Sequence, residues 1–467
     1  MTRYMTVMRR TAAILLGVMM TVTVSAQDVT GNDAEPLSVQ RSEMFTLSFD
    51  NTPNGTNLLN SYVQQRFDEL LPGYAQGRSL RRSAKDGLSG NNLLAYNYLK
   101  GIIQQIAAGE KNTTAFQIPM DNILTKTTWT AQELGVGSTF PDNKPSQDLV
   151  RETFQSCVDF SIVIGALLDD LPFECYWFDK TKGWGWSYGY SYNSKEFTFT
   201  KLSLTMYIAQ EYAVQSGSQY NPTQFNTSML AAISVAVENA QSIVESSTGT
   251  LLERLVGYKE KICELTSYNT AAVNNGWPYG NPWQLVWVFD GDASTKVVCE
   301  GYSKAFKYLC DLSNFNNAEC LLVSGTMSGG TGAGAHMWNV MKMDDGRNYL
   351  VDVTNCDNGT IGYPNKLFMA YGPGGSYDDG YIFPTGSADM KYTYDDDTKA
   401  LYSPSALTIS PTAYEPGSTG ITDLSSDGKT PVAEAFYTLD GKQVEHPQKG
   451  IYIVRMSDQT KRKVVVK

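Results

Sequence analysis

Cys299, His336 and Asp352 are the residues of this sequence whose types and spacing could do covalent chemistry. A cysteine thiolate attacks a carbonyl carbon when a neighbouring imidazole takes its proton, and a carboxylate beyond the ring fixes its tautomer. Cys299 follows two valines and precedes Glu300-Gly301, where an amphipathic run begins. Tyr302, Ala305, Phe306 and Leu309 recur at i, i+3, i+4 and i+7, the apolar face of a helix. A thiol in the first turn of a helix feels the positive end of its dipole, which favours thiolate. Gly301 leaves room there for a substrate backbone. Taken singly, such a cysteine is as well explained as a packing residue or half of a disulfide.

Histidine usage narrows the choice. The chain has only two histidines, and His446 lies in a turn-like Glu-His-Pro near the end. A base for Cys299 would therefore be His336, which opens the strand 336–343. A turn over Asp344-Asp345-Gly346 leads from it into a second strand, 347–354. A two-residue turn would pair Val340 with Val351 and set Asp352 on the face opposite His336. A three-residue loop pairs Trp338 with Asp352 instead and makes Asp352 a diagonal neighbour of His336. Gly346 stands where the left-handed glycine of a three-residue hairpin belongs, which favours the second register. Diagonal neighbours lie roughly 7–8 Å apart at the backbone, within reach of His and Asp side chains.

The elements that would hold this trio belong to a chain of 467 residues, long enough for more than one domain. A net charge of −11 and a pI near 4.9 argue against nucleic acid or an anionic membrane as partner. Residues 1–26 read as an export signal: Arg3, Arg9 and Arg10, an apolar run from Ala12 to Val24, and a small-residue cleavage site at Val24-Ser25-Ala26. The run is too short to span a bilayer comfortably, and no later segment does better. Export permits disulfides, yet the seven cysteines are an odd number, so at least one is expected to be a free thiol. Zinc-type spacings are absent, and neither metal nor cofactor is expected.

Residues 27–42 are polar and expected to be disordered. The span 43–245 reads as an N-terminal α+β domain. It holds an amphipathic helix over 92–107 closed near Gly109, a buried helix over 157–168, and a strand from Trp184 to Tyr192 with aromatics on alternate residues. Phe197 to Leu204 is that strand's hairpin partner, and 228–244 is a further helix. The alternating aromatics are better read as cross-strand packing than as a grip on peptide or glycan. The span 246–395 is a second unit, with a helix over 250–265, a Trp/Pro/Gly-rich loop over 276–287, the Cys299 helix and short strands. Residues 396–430, rich in Ser, Pro, Thr and Gly from 402 onward, read as a linker. The tail, 431–467, is a small all-β segment, with an Asp440-Gly441 hairpin over 436–444 and strands over 450–455 and 463–467.

Three blocks carry a family resemblance: Val298-Cys-Glu-Gly-Tyr-Ser-Lys-Ala-Phe-Lys-Tyr-Leu309, His336-Met-Trp-Asn339 and Tyr349-Leu-Val-Asp-Val-Thr354. In this order and spacing they resemble the bacterial transglutaminase-like superfamily over about 250–357, with Met337 in place of the usual alanine. The resemblance implies a papain-like α+β core with Cys299 as nucleophile, His336 as base and Asp352 as orienter. The loop 282–291 does not clearly supply the family's oxyanion donor; Gln284 and Trp287 are the candidates beside the Cys299 backbone N–H. Trp338 and Tyr302 are expected to contact substrate. The stretch Ala166–Trp177 also looks like one found upstream of such cores. The tail is similar to the C-terminal sorting domains of the type IX secretion system, which implies a Bacteroidetes-type bacterium, a secreted or cell-surface destination, and that machinery as partner.

The expectation is an exported cysteine enzyme acting on amide bonds in a peptide, a protein or a peptidoglycan peptide. Hydrolysis is favoured over crosslinking acyl transfer, and the competing class is a peptide- or glycan-binding module that keeps the fold without the chemistry. The glycine-rich stretch 328–335 lacks the Lys-Ser/Thr ending of a phosphate loop and leads into a strand, so it reads as a loop beside His336. Asp395-Asp396-Asp397 reads as a solvated acidic turn.

Overall fold

The computed structural model describes residues 29–31, 83–313, 315, 318–329 and 334–416, and in the tail 433–437, 443–444, 450–456 and 461–466. The export signal, residues 330–333 of the glycine-rich loop and the Asp440-Gly441 turn lie outside those residues. Helices and antiparallel strands are segregated along the chain, an α+β arrangement. Two compact units divide between Gly417 and Ser418.

In the first unit, β1 (Val29–Gly31) pairs along β4, so these three residues of the expected disordered segment are a strand. Helix α1 (Gly90–Ala107) buries Ala95, Tyr96, Leu99, Ile102, Ile103 and Ile106 on one stripe. It is closed by Gly109 at φ +70°, where a Cβ would lie 2.4 Å from Leu230. Strands β2 (Ala115–Pro119) and β3 (Thr128–Thr130) follow. The helix expected over 157–168 is α3 (Phe160–Asp170), and Cys157 instead ends a separate helix, α2 (Gln147–Cys157). Asp159 breaks the run because its carboxylate accepts from the Ser161 and Ile162 N–H groups at 2.9 and 3.3 Å, a cap that competes with helix continuation.

The hairpin of β4 (Trp184–Tyr192) and β5 (Glu196–Met206) centres a sheet ordered β1-β4-β5-β2, with β3 also on β5. Its aromatic face is core: Tyr188 and Tyr190 are buried, and Phe154 of α2 meets Trp186 and Tyr188 at 5.0 and 4.9 Å. A second hairpin, β6 (Ala213–Ser216) with β7 (Gln219–Phe225), leads into α4 (Leu230–Ser246).

Helix α5 (Leu251–Leu265) starts on a Thr250/Glu253 capping box and is followed by the short helices α6 (Thr270–Asn274) and α7 (Val286–Phe289). Then comes α8 (Cys299–Leu312). Seven antiparallel strands complete the unit: β8 (Glu319–Ser328), β9 (Gly334–Lys342), β10 (Asn348–Val351), β11 (Phe368–Ala370), β12 (Gly374–Ser376), β13 (Gly380–Pro384) and β14 (Asp389–Tyr394). Their order is β11-β10-β9-β8-β14-β13-β12. Helix α8, predicted amphipathic, is buried nearly all round, between β8 and β9 and the helices α4, α5 and α7. Its buried charges are tolerated because they pair along the helix, Lys304 with Glu300 at 2.9 Å and Lys307 with Asp311 at 3.0 Å.

The boundary drawn at 245/246 runs through a shared core, where Phe173 stacks on Tyr308 at 4.9 Å. Residues 396–416, read as linker, are part of this unit. Helices α9 (Asp396–Leu401) and α10 (Pro404–Leu407) pack back onto it. Thr398 Oγ1 accepts from the Ser324 N–H at 2.9 Å, and Ser410 N donates to Asn348 O at 2.8 Å. Their Ser, Thr and Pro content serves helix caps: Asp395 accepts from Thr398 N at 2.8 Å, and Pro404 opens α10. The acidic run 395–397 is thus the cap and first turn of α9.

The second unit is a four-stranded antiparallel sheet of β15 (Ala433–Tyr437), β16 (Gln443–Val444), β17 (Gly450–Met456) and β18 (Lys461–Val466), ordered β16-β15-β17-β18. The expected hairpin pairs Phe436 with Val444.

Candidate active site

The chain entering α8 is tied on two sides before it reaches Cys299. Val297 N donates to Ser267 O at 3.2 Å, Asn269 N donates to Val297 O at 2.9 Å, and Val298 N donates to Pro282 O at 2.7 Å. Val298 is extended and Cys299 is the first helical residue, half-buried. The space expected at Gly301 for substrate is already filled. A Cβ there would meet Val297 Cβ at 2.6 Å and Gln284 O at 3.1 Å, so the glycine lets the 282–284 loop lie against the helix.

A polar clamp holds this helix turn to β9. Ser303 Oγ donates to the carbonyl of Cys299, 2.9 Å away, and lies 2.8 Å from that of Met337. Asn339 Nδ2 lies 3.1 Å from Ser303 O and 3.2 Å from Leu321 O, bonding helix, β9 and β8 together. His336 precedes Met337, so the clamp sets the imidazole beside the start of the helix.

The β9–β10 hairpin has the three-residue loop. Leu350 pairs with Val340 and Val351 with Asn339, which puts Asp352 opposite Trp338. Gly346 stands at φ +78°. His336 Nε2 and Asp352 Oδ2 are 2.8 Å apart. The Asp352 carboxylate is fully buried and also accepts from Tyr392 OH at 2.7 Å, Asn355 Nδ2 at 2.7 Å and Asn355 N at 3.0 Å. Tyr392 reaches it because β14 runs very close to Gly325, the residue paired with His336. A Cβ at Gly325 would lie 2.0 Å from Thr393 O.

The electrostatics follow from these contacts. Burial opposes a charge on His336 and is the largest influence, but the Asp352 carboxylate and the Cys299 thiol together outweigh it and raise its pKa above the ordinary histidine value. Burial likewise opposes ionising Asp352, and His336, Tyr392 and Asn355 outweigh it, holding that carboxyl below the usual range. With Nε2 on Asp352, Nδ1 is the nitrogen left to exchange a proton with Cys299. Tyr268, partly exposed, has its backbone bridged to Val297 just ahead of Cys299, and its phenol is pushed up to about 12 by burial and by Cys299 and Asp352.

The structure thus brings Cys299, His336 and Asp352 together. The expectation that Trp338 and Tyr302 contact substrate is corrected, since both are fully buried. Trp338 stacks under His336 at 6.0 Å and against Tyr394 at 5.5 Å, and Tyr302 donates to Asp357 at 2.6 Å. Gln284 is buried with Oε1 accepting from Lys304 at 2.8 Å and Nε2 3.5 Å from Tyr279 OH. Trp287 lies on α7, its carbonyl accepting from Thr295 Oγ1 at 2.9 Å. No hydrogen bond among the described residues joins either to Cys299. Asn355, Tyr392, Ser303 and Tyr268 are site residues that sequence reasoning missed. Asn355, three residues beyond Asp352, and Ser303, one helical turn after Cys299, stood close enough in the chain to be suspected. Among the described residues no group of three or more His, Cys, Asp and Glu side chains is arranged to hold a metal. No protein-family model matches the chain, and no curated protein matches it.

Proposed function

We propose that this chain is a cysteine enzyme acting on amide bonds, with a transglutaminase-like, papain-like core in which Cys299 is the nucleophile, His336 the base and Asp352 the orienting acid. The observation that carries the reading is the buried His336–Asp352 contact at 2.8 Å beside a cysteine on the first turn of a helix. His336 Nδ1 takes the Cys299 proton, and the sulfur's electron pair forms a C–S bond while the carbonyl π pair moves to oxygen. The Cys299 backbone N–H, one of the first-turn donors without a partner inside the helix, faces that developing charge. Collapse of the adduct breaks the C–N bond, and the amine leaves with the proton from His336. Water then gives its proton to His336 as its oxygen displaces the thiolate, releasing a carboxylic acid. Asp352 stays ionised throughout.

Hydrolysis is the favoured outcome because water is always at hand, and the substrate classes are peptides, proteins and cell-wall peptides. A panel of such substrates tests the reading: the unaltered protein cleaves one or more of them, and Cys299→Ala abolishes the cleavage. Full activity in Cys299→Ala would overturn it. The leader and the β-tail carry a second proposal, export followed by sorting to the cell surface. Removal of 431–467 then traps the protein in the periplasm; unchanged surface display contradicts this.

A further inference from the structure

We infer that Asn355 is a positioning residue of the trio: it grips both oxygens of the Asp352 carboxylate and so fixes which of them His336 Nε2 meets. This rests on Cys299, His336 and Asp352 acting together as proposed.

The grip has two points. Asn355 N donates to Asp352 Oδ1 at 3.0 Å, and Asn355 Nδ2 donates to Oδ2 at 2.7 Å. Oδ2 is the oxygen that His336 and Tyr392 also use, at 2.8 and 2.7 Å. Rotation about the Cβ–Cγ bond of an aspartate is soft, so the carboxylate plane is set only when both oxygens are held. Among the described residues Asn355 alone is bonded to both.

The neighbours settle which way the amide points. A flipped amide would set oxygen against oxygen at 2.7 Å, and Nδ2 also lies 3.2 Å from Met327 Sδ, which takes the second N–H. Nδ2 is 3.4 Å from His336 Nε2 as well. Nε2 spends its proton on Asp352, so two donors face each other there and no hydrogen bond joins them. Asn355 therefore acts on the imidazole only through the carboxylate. It is itself held: its carbonyl accepts from Thr360 Oγ1 at 2.6 Å and from Gly362 N at 2.8 Å. A Cβ at Gly362 would lie 2.4 Å from that oxygen, so the glycine lets the 355–362 loop close on this residue. The other titratable groups that act on or are acted on by Asp352 are His336 on β9, Tyr392 on β14, Cys356 and Tyr268. Burial pushes the last three up, so they are neutral near pH 7.

The chain has only two histidines, so isotopic labelling of histidine nitrogens resolves His336 in the full-length protein, and His336→Ala assigns its signals. The unaltered protein shows its Nε2–H proton far downfield, the signature of a close bond to a carboxylate. In Asn355→Ala that resonance moves upfield and iodoacetamide labelling of Cys299 slows roughly five- to tenfold, while Cys157 and Cys263 label as before. Asn355→Asp is a second variant of the same shape. While the introduced carboxyl is protonated, its O–H donates to Asp352 as the amide does, and the variant matches the unaltered protein. Its pKa is raised by the like charge beside it; as pH rises through that value the donor is lost, and the variant comes to resemble Asn355→Ala. A resonance and a Cys299 rate unchanged by Asn355→Ala, whether or not stability falls, overturn the positioning role alone, as does an Asn355→Asp variant whose difference from the unaltered protein does not change with pH. An unaltered protein with no downfield Nε2–H, and with Cys299 labelling no faster than the other cysteines, defeats the trio and this inference with it.

Discussion

Asp352 sets how His336 behaves, and it is the residue where substitution is most informative. Asp352→Asn removes the charge that outweighs burial on the imidazole, so the His336 pKa falls and Cys299 alkylation slows. Leaving one member of a buried pair uncompensated costs about 3–5 kcal/mol. The pH dependence has a definite sign. His336 is raised in the fold, so its contribution is complete below its unfolded value of 6.5 and is lost as pH rises through the folded value. Asp352 is lowered, so its contribution is complete above its unfolded value of 3.8 and is lost as pH falls through the folded value. Urea unfolding across pH should show the largest gap between the unaltered protein and Asp352→Asn between these two unfolded values, narrowing outside them; a gap independent of pH contradicts the ion pair. Tyr392→Phe deletes one hydrogen bond to the carboxylate and should cost about 1.5–3 kcal/mol in the same experiment. Asp352 itself was legible from turn chemistry. Tyr392, forty residues downstream, was not, because its role depends on β14 lying against β8, a pairing that no local pattern specifies.

The β9–β10 hairpin and α8 are the elements that carry the site, and their legibility differs. The hairpin register followed from one glycine, since only a residue that tolerates φ near +78° closes a three-residue loop cheaply. Gly346→Ala should therefore cost about 1–2 kcal/mol, measured by thermal unfolding, and a neutral result contradicts that role. The start of α8 was legible from its apolar spacing; its clamp was not, because Ser303 and Asn339 meet only once helix and sheet are packed. Asn339→Ala removes two hydrogen bonds, to Ser303 O and Leu321 O, at about 0.5–1.5 kcal/mol each. It should also slow Cys299 alkylation although Asn339 does not touch the thiol, while a variant that loses stability alone would make the clamp merely structural. Elsewhere periodicity misled. The helix expected over 157–168 begins only at Phe160, because the Asp159 carboxylate caps α3, and Trp338 and Tyr302, large and aromatic beside the trio, serve the core.

At the scale of the whole molecule, composition cues marked segments but not boundaries. The Ser/Pro/Thr-rich stretch past 396 looked like linker because capping residues and linker residues are the same types, yet it packs as far as 416. Truncation after Gly417 should leave the first unit folding cooperatively with its Cys299 reactivity unchanged, read by calorimetry and alkylation; collapse of the first unit would contradict the division. The seven thiols of that unit supply their own controls. Cys157 and Cys263 are half-buried like Cys299, but burial raises both of their pKa values, that of Cys263 to about 12, and neither faces a histidine. The most direct test of the central claim is therefore competitive iodoacetamide labelling of the native protein at neutral pH, with each cysteine followed separately by mass spectrometry. Cys299 should react at least roughly tenfold faster than Cys157 and Cys263 and lose that advantage in His336→Ala. Equal, slow labelling of all three, unchanged by His336→Ala, would contradict it.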